Sequence, residues 1–365
     1  MKKLYNLIIF TLVLSSAFAQ QATFDEQAKP KKKKPRNFAV FPQAGYGDDT
    51  GVVLGIVSYF RRPSKTNNKL FDQVDLMLTG TEKSQFQFQV KPKIYFDGGD
   101  SNLDLKFKYR KWPTTFYGVE NLDPKMNGME FTPQKFSFTG KYQRKIKSNY
   151  RYTIMSNQMH NVILERADPA FMNQYPGSEE YFLSGVGLGL AWDGRDSKNF
   201  ATKGMLASVL LMTYRNWLGS DYNYEQVKLD LREFISIKEN HILAFQQLAV
   251  FSSNVLPFEK MFKTGDYARA YPSNIFLNRQ GFAFRTEYRV FPFRGKLWER
   301  IGFVTFYDNA VAARDMRHFS IDNFHYSVGL GLRISLFVED RFNLRLDYGK
   351  SETGTGMNIS GGDTF

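Results

Sequence analysis

Between Gln85 and Phe96 the chain reads QFQFQVKPKIYF, and apolar and polar residues alternate with a period of two. Phe86, Phe88, Val90, Pro92, Ile94 and Phe96 share one parity; Gln85, Gln87, Gln89, Lys91, Lys93 and Tyr95 share the other. Successive side chains of an extended strand point to opposite faces, so this segment has one uncharged face and one wet, partly cationic face. The pattern offers no helix or second apolar layer to cover the uncharged face. Lipid is the remaining place for it, with the polar face lining a closed barrel. About ten residues at ~3.3 Å each, tilted by ~40°, span about 25 Å, the apolar height of an outer-membrane barrel. Pro92 lacks a ladder donor and predicts a bulge or weak pairing at that point.

The same reading predicts about sixteen strands: Phe38–Gly45, Gly51–Phe60, Val74–Gly80, Ser84–Phe96, Leu103–Tyr109, Lys135–Ile146, Tyr150–Val162, Tyr181–Trp192, Met205–Tyr214, Tyr224–Ile237, His241–Asn254, Gln280–Pro292, Ile301–Tyr307, Tyr326–Phe337, Phe342–Tyr348 and Gly356–Phe365. Val227, Leu229, Leu231, Ile235 and Ile237 keep phase within the tenth, with Glu233 the exception. The links alternate in length. Trp112–Pro133, Asn161–Glu180, Val255–Arg279 and Asn309–Asn323 are long; Phe96–Asn102, Lys238–Asn240 and Val338–Asp340 are short, and Arg61–Phe71 breaks the rule. Short periplasmic turns and long extracellular loops are the asymmetry of outer-membrane barrels. An even strand number closes the sheet antiparallel, without exposed edges. The predicted fold class is therefore all-β, a transmembrane antiparallel β-barrel over residues 38–365.

Composition supports a strand-built wall. The 365 residues include 35 Phe and 20 Tyr, yet mean hydropathy is −0.41. A barrel wall gives this combination because every second residue faces water. No stretch of 18 uncharged apolar residues follows the N-terminus, which excludes a helical membrane protein. The absence of cysteine excludes disulfides, thiolate metal sites and cysteine nucleophiles. A net charge of +13 raises nucleic-acid binding, but no basic helix or recognition motif carries it, so no nucleic-acid partner is expected. Residues 1–19 read as a secretory signal, with Lys2 and Lys3, an apolar Leu4–Leu14 and Ala17-Phe18-Ala19 before Gln20. Removing those lysines leaves 13 − 2 = +11. Residues 20–37 carry KPKKKKPR at Lys29–Arg36, a basic periplasmic tether or a foot for anionic lipid headgroups or an acidic partner. That segment is too short for a folded periplasmic module.

Candidate chemistry is sparse. The four histidines (160, 241, 318 and 325) form no H-E-x-x-H pair and no G-x-S-x-G elbow occurs, so no catalytic residue, metal or cofactor is assigned. Glycines 185, 187 and 189, and 329 and 331, sit at alternate positions inside strands, where they make room for something packed on the polar face. Arg285, Glu287 and Arg289 share the polar parity of one strand, and Asp308 that of the next. Arg269 lies on the loop leading into them. Spacing alone leaves two arrangements open: the loop folds inward and Arg269 bridges both carboxylates, or Arg269 is solvated and the carboxylates line water.

Several motifs resemble those of the BamA/TamA-type outer-membrane superfamily, the bacterial surface antigen family, and particularly its compact members from Bacteroidetes. The family's Val-Arg-Gly-Phe/Tyr loop motif falls on Ala268-Arg269-Ala270-Tyr271, matching at the arginine and the aromatic but not at the first position or the glycine. DGRDSKNFATKG, with Asp193, Arg195, Asp196 and Gly204, is similar to the family's D-x-R-D…G turn, and YSVGLGLRISLF to its late glycine-rich strand. Phe365 resembles the terminal aromatic of a barrel-insertion signal, although Asp363 is unusual there. The resemblance implies that Arg269 folds into the lumen and pairs with Glu287 and Asp308. It also implies a Gram-negative outer-membrane barrel, surrounded by lipid, that assembles barrels or moves polypeptides or lipids. Family members use periplasmic domains for this, so a separate periplasmic or outer-membrane protein partner is implied. The rival expectations are a passive porin-like channel and a structural barrel that anchors a surface partner.

Overall fold

A computed structural model of the chain describes residues 38–47, 51–65, 70–120, 128–198, 200–293, 295, 300–337, 342–362 and 364–365. The signal-like segment, the Lys29–Arg36 run, Trp298 and Asp363 lie outside the described residues. Nineteen strands occur among the described residues. They are β1 (Phe38–Gly47), β2 (Gly51–Pro63), β3 (Phe71–Thr81), β4 (Phe86–Phe96), β5 (Ser101–Lys111), β6 (Thr114–Phe116), β7 (Met129–Lys147), β8 (Tyr150–Arg166), β9 (Tyr181–Asp193) and β10 (Gly204–Tyr214). The series continues with β11 (Tyr224–Lys238), β12 (His241–Ser252), β13 (Phe262–Lys263), β14 (Leu277–Asn278), β15 (Gln280–Val290), β16 (Ile301–Ala313), β17 (His325–Phe337), β18 (Phe342–Ser351) and β19 (Gly354–Gly361). The fold is all-β and antiparallel, with seventeen strands in one sheet and β13–β14 as a separate ribbon. Pro169–Met172 is a single α-helical turn. Each of the sixteen runs read from the alternation is a strand, and the three additional ones (β6, β13 and β14) lie in the long connections.

The chain divides into two compact units. The first takes in the described part of Met1–Thr114 with Phe131–Arg144 and Ser156–Glu165. Here β1 to β5 pair in sequence order and β5 pairs with β7. Phe86 and Phe88 on β4, Phe107 on β5 and Phe136 on β7 are exposed, while Gln85 and Gln89 on the opposite parity are buried. Pro92 causes no bulge: the β4–β5 register is the same on both sides of it, and pairing lapses only at Lys91 and Pro92. One missing donor is absorbed because the other edge of β4 still pairs Pro92 with Val74.

The second unit holds Thr115–Glu130, Lys145–Met155 and Arg166–Phe365. Its meander runs β9–β10–β11–β12–β15–β16–β17–β18–β19. Leu188 and Leu190 on β9, Leu229 and Ile235 on β11, Leu330 on β17 and Met357 on β19 form its exposed apolar face. Exposed apolar residues in such a continuous set mark a surface made for a non-aqueous neighbour. Since neighbouring strands run antiparallel, the long connections 167–180, 215–223, 253–279 and 314–324 leave from one end of this unit.

Strand β16 runs six residues past the predicted end at Tyr307, because the polar pair Asp308-Asn309 reads as a stop. Pairing of Gln280 with Ala313 continues the ladder, and Asp308 is neutralised in place. The last strand, predicted to reach Phe365, stops at Gly361.

Candidate functional site

Cross-strand register builds the site. On the polar face of β15 to β19, one row reads Glu287, Phe306, Gly329, Gly349 and Gly356. The row on one side reads Arg285, Asp308, Ser327 and Ser351; the row on the other reads Arg289, Val304, Gly331 and Asp347. Three consecutive glycines beside Phe306 leave a shallow trough, bordered by carboxylates on both sides. A Cβ on Gly356 would lie 2.8 Å from Ala270 Cα, and one on Gly329 would lie 2.3 Å from the Phe306 ring. Gly349 and Gly356 therefore admit the tip of the 253–279 loop, and Gly329 admits the Phe306 ring.

That loop lies against the polar face over much of its length. Phe262, Ala268, Tyr271, Ile275 and Phe276 pack on Leu248 and Val250 of β12, Ala283 of β15 and Ala310 of β16. The β13–β14 ribbon holds the two arms of the loop together. At the tip, Arg269 donates from Nε and Nη2 to the two oxygens of Asp308 at 2.6 and 2.7 Å, and its backbone N–H donates to the same carboxylate at 3.2 Å. Its Nη1 donates to Glu287 at 2.7 Å and to Asp347 at 3.2 Å. The guanidinium carbon stands 3.5 Å above the Phe306 ring. Planar, forked donors and a flat π-face suit arginine and would not suit lysine.

The three carboxylates are fully or almost fully buried. Burial disfavours the Arg269 charge, but Glu287, Asp308 and Asp347 outweigh it and hold its pKa above the ordinary arginine value. Other cations share the acids: Arg289 reaches Glu287 at 2.8 Å, Arg333 reaches Asp347 at 2.6 Å and Glu287 at 3.3 Å, and Arg345 reaches Asp347 at 3.3 Å. Among the described residues, Asp308 has one further ion-pair partner besides Arg269, Arg285 at 3.6 Å. A buried ion cluster of this kind fixes one geometry more surely than it adds net stability. What it fixes is the position of the loop tip.

Tyr271 lies beyond the tip, its hydroxyl proton shared between two acceptors, the Tyr326 carbonyl at 3.1 Å and Glu352 at 3.2 Å. His325 also bonds Glu352, and its ring stacks on Phe276 at 3.6 Å. Ala270 holds φ +71°, a left-handed conformation that glycine adopts without steric cost.

The Omp85 superfamily domain matches residues 72–365. The chain belongs to the Omp85 superfamily. Among solved structures, this Omp85 chain is similar to BamA from Haemophilus ducreyi lacking POTRA domains 1–3, at 12% identity and a TM-score of 0.60 over 90% of this chain and 71% of that one. It is also similar to CdiB from Escherichia coli (10% identity, TM-score 0.58) and CdiB from Acinetobacter baumannii (10%, 0.56). It covers 61% and 59% of those two chains, with 89% of its own length matched in each. At such identities the likeness is one of fold. A comparison with curated proteins finds no match.

Two other sequence candidates of this Omp85 chain also fall in the second unit. In the β9–β10 turn, Arg195 grips Asp193 through Nε at 2.9 Å and Nη2 at 3.1 Å. Asp196 accepts from the Thr202 and Lys203 backbone N–H groups and the Thr202 hydroxyl. Gly204 has φ +100°, and a Cβ there would meet the Gly194 carbonyl oxygen at 2.3 Å. The turn presents Phe200, whose ring lies 5.0 Å from the Arg289 guanidinium. Phe365 lies four residues beyond β19, buried among Ala201, Phe234 and Ala244, with Arg285 and Arg289 both 5.3 Å from its ring. Arg289 thus links turn, wall and tail.

Asp347, Arg333, Phe306 and the glycines at 349 and 356 were not singled out from sequence. Their signal exists only in the register, which no single strand reveals. Gly185 and Gly187, by contrast, make room for Tyr214 and Met212 of neighbouring β10 rather than for the loop.

Proposed function

We propose that this Omp85 chain is an exported outer-membrane barrel that takes part in outer-membrane protein assembly or in moving polypeptide or lipid across that membrane, together with a partner protein. The proposed role involves no enzymatic step, cofactor or metal. The observation that carries the reading is the Arg269 tip held by Glu287, Asp308 and Asp347, because it fastens a long loop to the polar face of the second unit's sheet. The exposed apolar face supports insertion among outer-membrane lipids. No helix among the described residues is long and apolar enough to cross a membrane.

Depletion in the native cell, followed by quantification of outer-membrane proteins and surface lipid, tests the role. Loss of either class, together with co-purification of a periplasmic or outer-membrane protein, is expected. Unchanged outer-membrane content, combined with steady single-channel current in planar bilayers, would replace this reading with a passive channel.

A further inference from the structure

The polar face of the first unit carries a feature that the loop cluster does not use. Lys106, Lys108 and Arg110 occupy alternate positions of β5, all opposite in parity to exposed Phe107. Register places Lys135 of β7 opposite Arg110, and Ser137 and Thr139 opposite Lys108 and Lys106. On the other side Gln87 and Gln89 of β4 pair with Arg110 and Lys108. Lys91 lies near Lys106. Two carboxylates of this face border the cluster: Asp75 pairs with Lys91, and Asp104 precedes Lys106 by two residues and pairs with Lys93. Lys91 stands beside Lys106, and Arg110, Lys106, Lys135 and Lys91 surround Lys108.

Like charges set side by side on a sheet destabilise it. We propose that Lys91, Lys106, Lys108, Arg110 and Lys135 form a track for acidic stretches of an extended client polypeptide. This proposal rests on the reading above and names the substrate class. The charges along β5 recur every second residue, about 6.6 Å apart, which is also the repeat of same-side carboxylates in an extended chain. Most are lysines, whose mobile point charges follow a passing chain, whereas arginine forks lock one partner in one geometry. The second unit shows the locked case at Arg269. Gln87, Ser137 and Thr139, paired with the track, carry polar groups that can bond a peptide backbone.

The test uses the full chain in detergent micelles and a fluorescein-labelled peptide of alternating Glu and Ser, followed by anisotropy. The acidic peptide should bind at low salt, and weaken as salt rises, while the matching Lys-Ser peptide does not bind. Lys106→Gln with Lys108→Gln should weaken binding about tenfold, equivalent to about 1.4 kcal/mol. Lys238→Gln with Lys350→Gln, on exposed residues of the second unit, should change it less than about twofold. Misfolding does not confound the result, since removing like charges relieves repulsion, and heat-modifiable gel mobility checks the fold directly. Unchanged affinity in the β5 double variant overturns the proposal. Displacement by tripolyphosphate well below the concentration at which unlabelled acidic peptide competes also overturns it, by assigning the track to phosphate. Binding is read on the isolated protein, so its outcome is separate from that of depletion in cells.

Discussion

Replacing Arg269 with alanine removes the central cation from three buried carboxylates, and the structure says which of them suffers most. Glu287 keeps Arg289 at 2.8 Å and Arg333 at 3.3 Å, and Asp347 keeps Arg333 at 2.6 Å and Arg345 at 3.3 Å. Asp308 keeps, among the described residues, Arg285 alone at 3.6 Å, while losing both oxygens' guanidinium bonds. Breaking one side of a buried ion pair costs about 3–5 kcal/mol, and the better-compensated acids should contribute less than that. Arg269→Ala is therefore expected to destabilise the fold by about 3–5 kcal/mol, most of it through Asp308. The loop tip also loses its seat on Phe306, so the 253–279 loop should become open to protease. Urea titration in lipid or detergent, followed by tryptophan fluorescence and heat-modifiable mobility, measures the loss. Double-mutant cycles with Asp308→Asn, Glu287→Gln and Asp347→Asn then give the coupling of each pair. Coupling should be greatest for Asp308 and least for Asp347. Additivity of Arg269→Ala and Asp308→Asn within about 0.5 kcal/mol would refute direct pairing.

Three other outcomes are expected. Ala270→Gly should be neutral within about 1 kcal/mol, since relief of the left-handed backbone offsets lost unfolded-state restriction, whereas Ala270→Val should cost more than about 1–2 kcal/mol; both are read by urea midpoint. Gly204→Ala should destabilise the β9–β10 turn by at least about 1–2 kcal/mol and withdraw Phe200 from Arg289, which the same titration and fluorine labelling at position 200 report. Phe365→Ala empties a buried ring site and should cost up to about 3–5 kcal/mol, with lower yield of folded protein in the membrane; Phe365→Leu should recover part of both. A Phe365→Ala chain with unaltered midpoint would separate the ring from the stability of the fold.

The local pattern of this sequence determined the strands and their two faces. Side-chain direction in a strand depends only on parity, so QFQFQVKPKIYF declares an apolar and a polar side without any knowledge of its neighbours. The same is true of GFAFRTEYRVF, which places Arg285, Glu287 and Arg289 together on the buried parity. Glu287 and Asp308 were legible as polar-face carboxylates of adjacent strands, while their pairing with Arg269 came only from the family resemblance. Asp347 was not, since its approach to Arg269 spans 78 positions and depends on the registers of β15 to β18 acting together. A shift by one residue in any of those pairings would turn a strand's polar side outward. Register likewise decided that Gly329, Gly349 and Gly356 fall in one row, and that Phe365 leaves its strand to pack near Arg289. Parity is a property of one strand, whereas a trough, an ion cluster or a docked loop exists only where several strands meet.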